Sequence, residues 1–316
     1  MLKKTSTILA DPIDKQPLNL LNEQSRNNEI LSGTLKSNNN KYFIESGLAN
    51  LIPNFKKMNL DSDLYQTWNT LQENGMKTYQ NFPSDNLLTE GRELTKLFKN
   101  FCNFSGTVLD VGCGPTLPAY LKNNDKIQLG IGLDPLISTK NYQNEKNIDL
   151  IQGIGEFLPF KNEIFDFVSF CTSFDHVVNP NFVLNESKRV LKENGTIIFL
   201  NGIHGSPKSE NVQIQNNNIF RNLYSKINYN NPIRKSLRTT IIFGRNQTNK
   251  IIHHKQVKEQ KFIKNLPVPN GAMDQFHMHY WDNSELNKQC EQLNLKKINE
   301  KILPDLNSEF LMYQKI

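Results

Sequence analysis

Cysteine is scarce: four in 316 residues, Cys102, Cys113, Cys171 and Cys290, with no C-x-x-C pair among them. That excludes a disulfide framework, and a reducing, cytoplasmic setting is the expectation. Long apolar runs are also missing. None approaches the roughly 18–20 residues that a membrane helix needs, so no membrane span is expected. Met1-Leu2-Lys3-Lys4 is basic, but polar residues and Asp11-Pro12 follow, leaving no signal-peptide core. Wholesale disorder is excluded in turn, because 37% of the residues are hydrophobic.

The net charge of +6 is unevenly placed. Between Arg221 and Lys264 stand eleven lysines and arginines against the single acid Glu259, an excess larger than that of the whole chain. Among them are Arg234, Lys235 and Arg238. The remainder of the chain is slightly acidic, which bears on the substrate.

Four stretches are expected. Residues 1–55 read as a small β-rich module, with strands at Glu29–Lys36 and Lys41–Glu45 around Ser37-Asn38-Asn39-Asn40, where asparagine tolerates positive φ. Residues 56–103 are helical: Leu64, Trp68 and Leu71 repeat at helical spacing, as do Leu94, Leu97 and Phe98, with Gly75 and Phe82-Pro83 as breaks. From Gly106 short apolar runs follow at Thr107–Val111, Ile127–Leu133, Ile148–Ile151, Phe165–Cys171 and Thr196–Leu200. They have the form of buried parallel strands. Asn181–Lys192 reads as an amphipathic helix with Phe182, Leu184, Val190 and Leu191 on its apolar side and Gly195 past its end. A basic, irregular insert at about 203–276 is too long for an ordinary connection, so a substrate lid or a partly disordered segment is expected. A helix at Asp282–Leu293 and strands at Lys296–Leu303 and Glu309–Lys315 close the chain.

The most informative segment is Asp110-Val111-Gly112-Cys113-Gly114-Pro115-Thr116, a strand running into a glycine turn and an expected helix start. Glycine lets backbone approach a ligand, and a helix N-terminus offers free N–H groups. Asp134 follows Gly112 by 22 residues, at the end of the second strand and before Pro135, where a carboxylate accepts ribose hydroxyls in dinucleotide folds. Leu117 in place of a third glycine departs from the dinucleotide pattern.

At this point the sequence resembles class I S-adenosylmethionine-dependent methyltransferases of the ubiquinone-biosynthesis type, often called type 11. Thr116 stands where the family's last motif glycine would be. The resemblance continues through Gly153-Ile154-Gly155-Glu156-Phe157-Leu158-Pro159-Phe160, Phe165-Asp166-Phe167-Val168, Ser173-Phe174-Asp175-His176-Val177 and Arg189-Val190-Leu191-Lys192. It implies an α/β fold, a doubly wound, Rossmann-like sheet of seven strands, with S-adenosylmethionine as cofactor. The cofactor residues it implies are Asp110, Gly112, Cys113, Gly114, Asp134, Pro135, Ile154, Gly155, Glu156, Cys171 and Thr172. Ile154 replaces the acid that usually meets adenine, so Gly155 is expected to contribute backbone only.

Residues 7–55 resemble, more weakly, the zinc-ribbon module that precedes some rRNA guanine methyltransferases. Asp11-Pro12-Ile13-Asp14 stands where the family has C-P-x-C, and the first cysteine of the chain is Cys102. Structural zinc needs about four nitrogen or sulfur ligands, so a metal-free version is expected.

Three histidines are catalytic candidates: His176 after the fourth strand, where acceptors meet the methyl group in this fold, and His277 and His279 before the last helix. Histidines one residue apart could share a strand face, but no third metal ligand is evident at defined spacing, and no metal is expected. Three functions compete: methyl transfer to a small-molecule acceptor, anionic and sugar- or lipid-linked; methylation of rRNA or tRNA; and a non-catalytic partner-binding module. The sequence favours the first. It carries no N-P-P-Y or D-P-P-Y signature, and the insert has few aromatic residues on which bases would stack. The domain expectation is 1–55 and 56–316, and the sequence leaves the oligomeric state open.

Overall fold

In a computed structural model of the chain, residues 1–54, 62–82, 88–203, 258–279 and 283–316 are described. Contacts divide the chain into Met1–His204 with Pro267–Ile316, and Gly205–Leu266. Of the latter only 258–266 are described, with a short helix over 258–264. Most of the basic insert, Arg234, Lys235 and Arg238 included, therefore lies outside the described residues.

After the single turn α1 (Lys3–Ser6), four antiparallel strands follow: β1 (Asn19–Arg26), β2 (Glu29–Lys36), β3 (Lys41–Glu45) and β4 (Leu48–Asn50). Helices α2 (Ser62–Asn81) and α3 (Glu93–Cys102) precede β5 (Gly106–Val111), β6 (Ile127–Leu133), β7 (Ile148–Gln152) and β8 (Phe165–Cys171). Then come α4 (Pro180–Val190), β9 (Leu191–Gly202), α5 (Asn283–Gln292), β10 (Leu295–Leu303) and β11 (Ser308–Lys315). The sheet order is β1-β2-β3-β4-β7-β6-β5-β8-β9-β11-β10. Strands β5 to β9 run parallel, and β11 is antiparallel to β9 and β10.

The seven strands β5 to β11 are those expected, but among the described residues the sheet has eleven. The four N-terminal strands extend it, because β4 pairs in parallel with β7 through Ala49–Ile151 and Asn50–Gln152. Further ties reinforce that join. The buried Asp149 carboxylate accepts from the Leu2 N–H at 2.6 Å, and Lys15 pairs with Glu186 of α4 at 2.6 Å.

Within the N-terminal strands, Asp11 is fully buried and acts as a hub. Its carboxylate accepts from Ile13 N, Ser37 Oγ, Asn40 Nδ2 and Tyr42 Oη at 2.5–3.0 Å. The 37–40 turn does not use left-handed asparagine, contrary to expectation. Ser37 Oγ instead accepts the backbone N–H groups of Asn39 and Asn40.

Other boundaries differ for physical reasons. Gly75 does not break α2, because Trp68, Leu71, Asn74 and Thr78 are buried on either side of it at helical spacing. That packing outweighs glycine's cost of about 1 kcal/mol. Helix α4 ends at Val190 and the chain continues at once as β9, so Gly195 lies inside a strand. The buried face of α4 is Val183, Leu184, Ser187 and Val190, whereas Phe182 is half exposed. No helix follows the glycine turn, since residues 112–126 are turns. Of the crossovers joining β5 to β9, only that between β8 and β9 is α-helical.

Parallel strands buried on both faces explain the near-continuous apolar runs. Val108, Leu109, Ile131, Leu150, Phe170 and Leu200 are all fully buried. Phe170, Phe174 and Phe199 pack with ring centroids 5.1–5.3 Å apart under the carboxyl ends of β8 and β9.

Candidate active site

Strand order reverses between β5 and β8, since the chain moves from β5 through β6 to β7 on one side and then places β8 on the other. Side chains and backbone at the carboxyl ends of such strands surround a crevice. A cavity of about 380 Å³ opens there, within the range that suits a ligand of cofactor size. Its floor is the turn after β5. Gly112 and Gly114 have φ of +77° and +75°. A Cβ on Gly112 would overlap the Ser173 side chain, whose hydroxyl donates to the Val111 carbonyl at 2.6 Å. The two switch-point loops thus touch through a glycine that no other residue replaces without displacement.

Asp134, at the end of β6, is buried and braces this turn. Its Oδ2 accepts from Gly114 N at 2.8 Å and its Oδ1 from Leu136 N at 2.7 Å. Burial raises its carboxyl to about 6 against these two hydrogen bonds. Each oxygen retains a second lone pair for a ligand hydroxyl. Ile154 and Gly155 form the wall after β7, and Gly155 packs closely on Val111 and Val183. Pro135, Cys113, Cys171 and Thr172 also line the cavity. Thr172 is held at φ +55°, a left-handed conformation that non-glycine residues rarely adopt. Burial pushes the thiols of Cys113 and Cys171 well above their usual value, which leaves them poor nucleophiles.

Two residues expected to hold cofactor also have partners within the protein. Asp110 is fully buried and lies outside the cavity lining. Alternation along β5 turns it to Ser169, whose hydroxyl donates to Oδ1 at 2.8 Å, and to the hydroxyl of the buried Tyr120. Burial raises this carboxyl to about 7. Glu156 borders the cavity, but its Oε1 accepts from Val178 N at 2.6 Å and Asn179 N at 3.1 Å, fixing the entrance to α4.

The opposite wall was missed in the sequence. Helix α2 contributes Trp68, Leu71, Gln72, Gly75, Thr78 and Tyr79. Tyr65, Trp68 and Leu71 pack with Ile154, Val178 and Met278, which holds the helix over the opening. Asn74 is fully buried and donates to the carbonyls of Pro267 and Gln275 at 2.9 and 2.8 Å, clasping the segment before α5. Asparagine at the centre of an apolar helical face was the available signal.

That segment brings His277 beside His176, with ring centroids 4.7 Å apart. His176 Nδ1 donates to the Phe276 carbonyl at 2.8 Å. His277 Nδ1 lies 2.7 Å from Asp274 Oδ2. Burial would lower His277, but the Asp274 hydrogen bond and the charges of Asp175 and Asp274 outweigh it and raise the imidazole above its ordinary value. Desolvation works against Asp274 too, yet its hydrogen bonds from His277 and from the N–H groups of Phe276 and His277 hold it down to about 2. His279 does not join this corner. Its Nε2 donates to the Val178 carbonyl at 3.2 Å, because 277–279 is irregular backbone and the strand alternation expected there does not apply.

Such a sheet order, with its last strand antiparallel and a cavity at the switch point, defines the class I methyltransferase fold. Residues 109–199, under a third of the chain, match the model of the Methyltransferase domain family. Two uncharacterized proteins of Methanocaldococcus jannaschii are similar. One is 39% identical over 94 residues, covering 29% of this chain and 35% of its own. The other is 29% identical over 121 residues, covering 38% and 56%. The chain therefore spans about a third and about half of the length of these curated relatives. A crystal structure of a SAM dependent methyltransferase from Aquifex aeolicus aligns at 14% identity and a TM-score of 0.43, over 72% of this chain and 92% of that one.

Proposed function

We propose that this protein transfers the methyl group of S-adenosylmethionine to a small-molecule acceptor. The observation that carries the reading is the convergence on one cavity of the Gly112–Gly114 turn, the Asp134 carboxylate and the Ile154–Gly155 backbone. Asp134 accepts the ribose hydroxyls, Ile154 and Gly155 flank the adenine, and the glycine turn admits the methionine end. When bound, the cofactor supplies a methyl on an already activated sulfonium. The protein's remaining tasks are to orient the acceptor and exclude water, which the α2 wall and the clasped segment before α5 perform. The corner of Asp175, His176 and His277 is where the acceptor lies.

Calorimetry tests the first part. S-Adenosylhomocysteine should bind at micromolar affinity and NAD should not, and Asp134→Ala should weaken binding by about 1.5–3 kcal/mol through loss of charge-assisted hydrogen bonds. Tight NAD binding would overturn the reading. An anionic acceptor is favoured by the charge excess between Arg221 and Lys264. Neutralising Arg234, Lys235 and Arg238 together should raise the acceptor's KM several-fold, and salt from about 50 to 300 mM should do the same to the unmodified protein. Transfer of labelled methyl into RNA alone would favour the nucleic-acid reading instead. A cytoplasmic setting suits the four free thiols, and no described helix is long and apolar enough to cross a membrane. Residues 1–55 serve as a packing module for the domain that follows.

A further inference from the structure

The strongest unabsorbed feature is the way three side chains from two distant segments aim at one point. His176 Nε2 lies 3.5 Å from Asp175 Oδ1, and His277 Nε2 lies 3.6 Å from Asp175 Oδ2. All three donor groups fall within 4.8 Å of one another. Each imidazole has its other nitrogen engaged: Nδ1 of His176 on a carbonyl, Nδ1 of His277 on the Asp274 carboxylate. Those acceptors require a proton on Nδ1, so in the neutral rings both Nε2 atoms carry lone pairs facing the carboxylate. The 3.5–3.6 Å separations are too long for hydrogen bonds, and among the described residues the buried Asp175 Oδ1 makes none. They are close to the ~3.3 Å that separates neighbouring ligands around a tetrahedral ion with bonds of about 2.05 Å.

We propose that Asp175, His176 and His277 bind a first-row divalent transition metal ion. Two imidazoles and one carboxylate form the donor set that suits zinc or ferrous iron and leaves coordination positions open. A histidine ligand whose second nitrogen donates to a carboxylate, as His277 does to Asp274, is the usual supporting arrangement at such sites. The corner is also held in advance. The Asp175 carbonyl accepts the N–H groups of Met278 and His279 at 3.0 and 3.1 Å, locking the two segments together. All three ligands line the cavity, so the open positions face whatever binds there. On the methyltransferase reading, this selects an acceptor that presents oxygen, as hydroxyl, carboxylate or phosphate.

The test uses the full chain stripped with a chelator, then titrated with cobalt(II) followed by absorbance, and with zinc(II) against a chromophoric indicator. One equivalent should bind with a cobalt spectrum showing nitrogen and oxygen ligation. His277→Ala and Asp175→Asn should each abolish stoichiometric binding. Asp274→Asn lies outside the ligand set and guards against variants that fail to fold; it should weaken binding about 10- to 100-fold with the melting temperature nearly unchanged. Replacing His253 and His254, in the basic insert, should have no effect. Absence of a stoichiometric complex, or affinity indifferent to all three site substitutions, would overturn the proposal. Affinity for S-adenosylhomocysteine is measured on the metal-free protein, so failure of the cofactor reading is seen separately.

Discussion

Replacing Asp110 by asparagine should stabilise this protein at neutral pH, and the gain should depend on pH. The carboxyl is fully buried, and burial raises it from 3.8 to about 7. A raised acid keeps its proton in the folded state while the unfolded chain has already lost it. Stability therefore falls as pH rises from about 4 to about 7, and the loss is complete above that window. About three units at 1.36 kcal/mol each set a ceiling of about 4 kcal/mol on what the ionised carboxylate costs. Asparagine keeps an oxygen to accept the Ser169 hydroxyl and has no charge to desolvate. Urea denaturation between pH 5 and 8 should show Asp110→Asn gaining roughly 2–3 kcal/mol over wild type from pH 5 to 7 and then levelling off. Asp166 provides a control of opposite sign. Desolvation raises it, but hydrogen bonds from Thr107 and Lys192 prevail and hold it below its usual value. Its contribution is present above the unfolded pKa and is lost as pH falls, so Asp166→Asn should be less stable at neutral pH, with a difference that fades in acid. An Asp110→Asn protein less stable than wild type at pH 8, or a gain flat across the range, would refute the argument.

Gly112→Ala should lose at least 3 kcal/mol of stability, because φ is +77° and the added Cβ overlaps Ser173; chemical denaturation measures it, and a near-neutral substitution would mean that the β5 and β8 loops separate easily. Asp11→Ala removes the acceptor for four donors and should cost roughly 3 kcal/mol, read as a drop in melting temperature, whereas a loss within 0.5 kcal/mol would deny the hub any structural role.

Features set by local spacing were legible in the sequence. The strand running into Gly112 and Gly114, and Asp134 at the end of the next strand, lie within one β-turn-β unit, so their separation along the chain fixes their separation in space. The helix expected after Gly114 is absent, since the chain there is turns and bends and a glycine turn after a strand does not by itself specify a helix. That Asp110 turns away from the cavity lining was not legible, because the motif gives its position in the chain but not which way a strand residue points. The corner at Asp175 was hidden for another reason: His176 and His277 are a hundred residues apart, and their meeting depends on Asn74 gripping the Pro267 and Gln275 carbonyls. A spacing argument cannot see such a contact. The eleven-stranded sheet was missed likewise, since β4 is three residues long and its pairing with β7 leaves no local trace.

The pairing of β4 with β7 also sets an order of events during synthesis. Ala49 cannot meet Ile151 until about a hundred more residues have emerged, which at ~5–20 residues per second takes about 5–20 seconds. Throughout that interval the four N-terminal strands carry an open edge at β4, with Leu48 and Ala49 awaiting cover. The Asp11 hub and the hairpin turns hold the meander together, while the apolar side chains at that edge invite pairing with another chain until its own β7 arrives. The exposed, largely polar strand β1 guards one end of that early sheet, and the ribosome's pace governs how long the other stays bare.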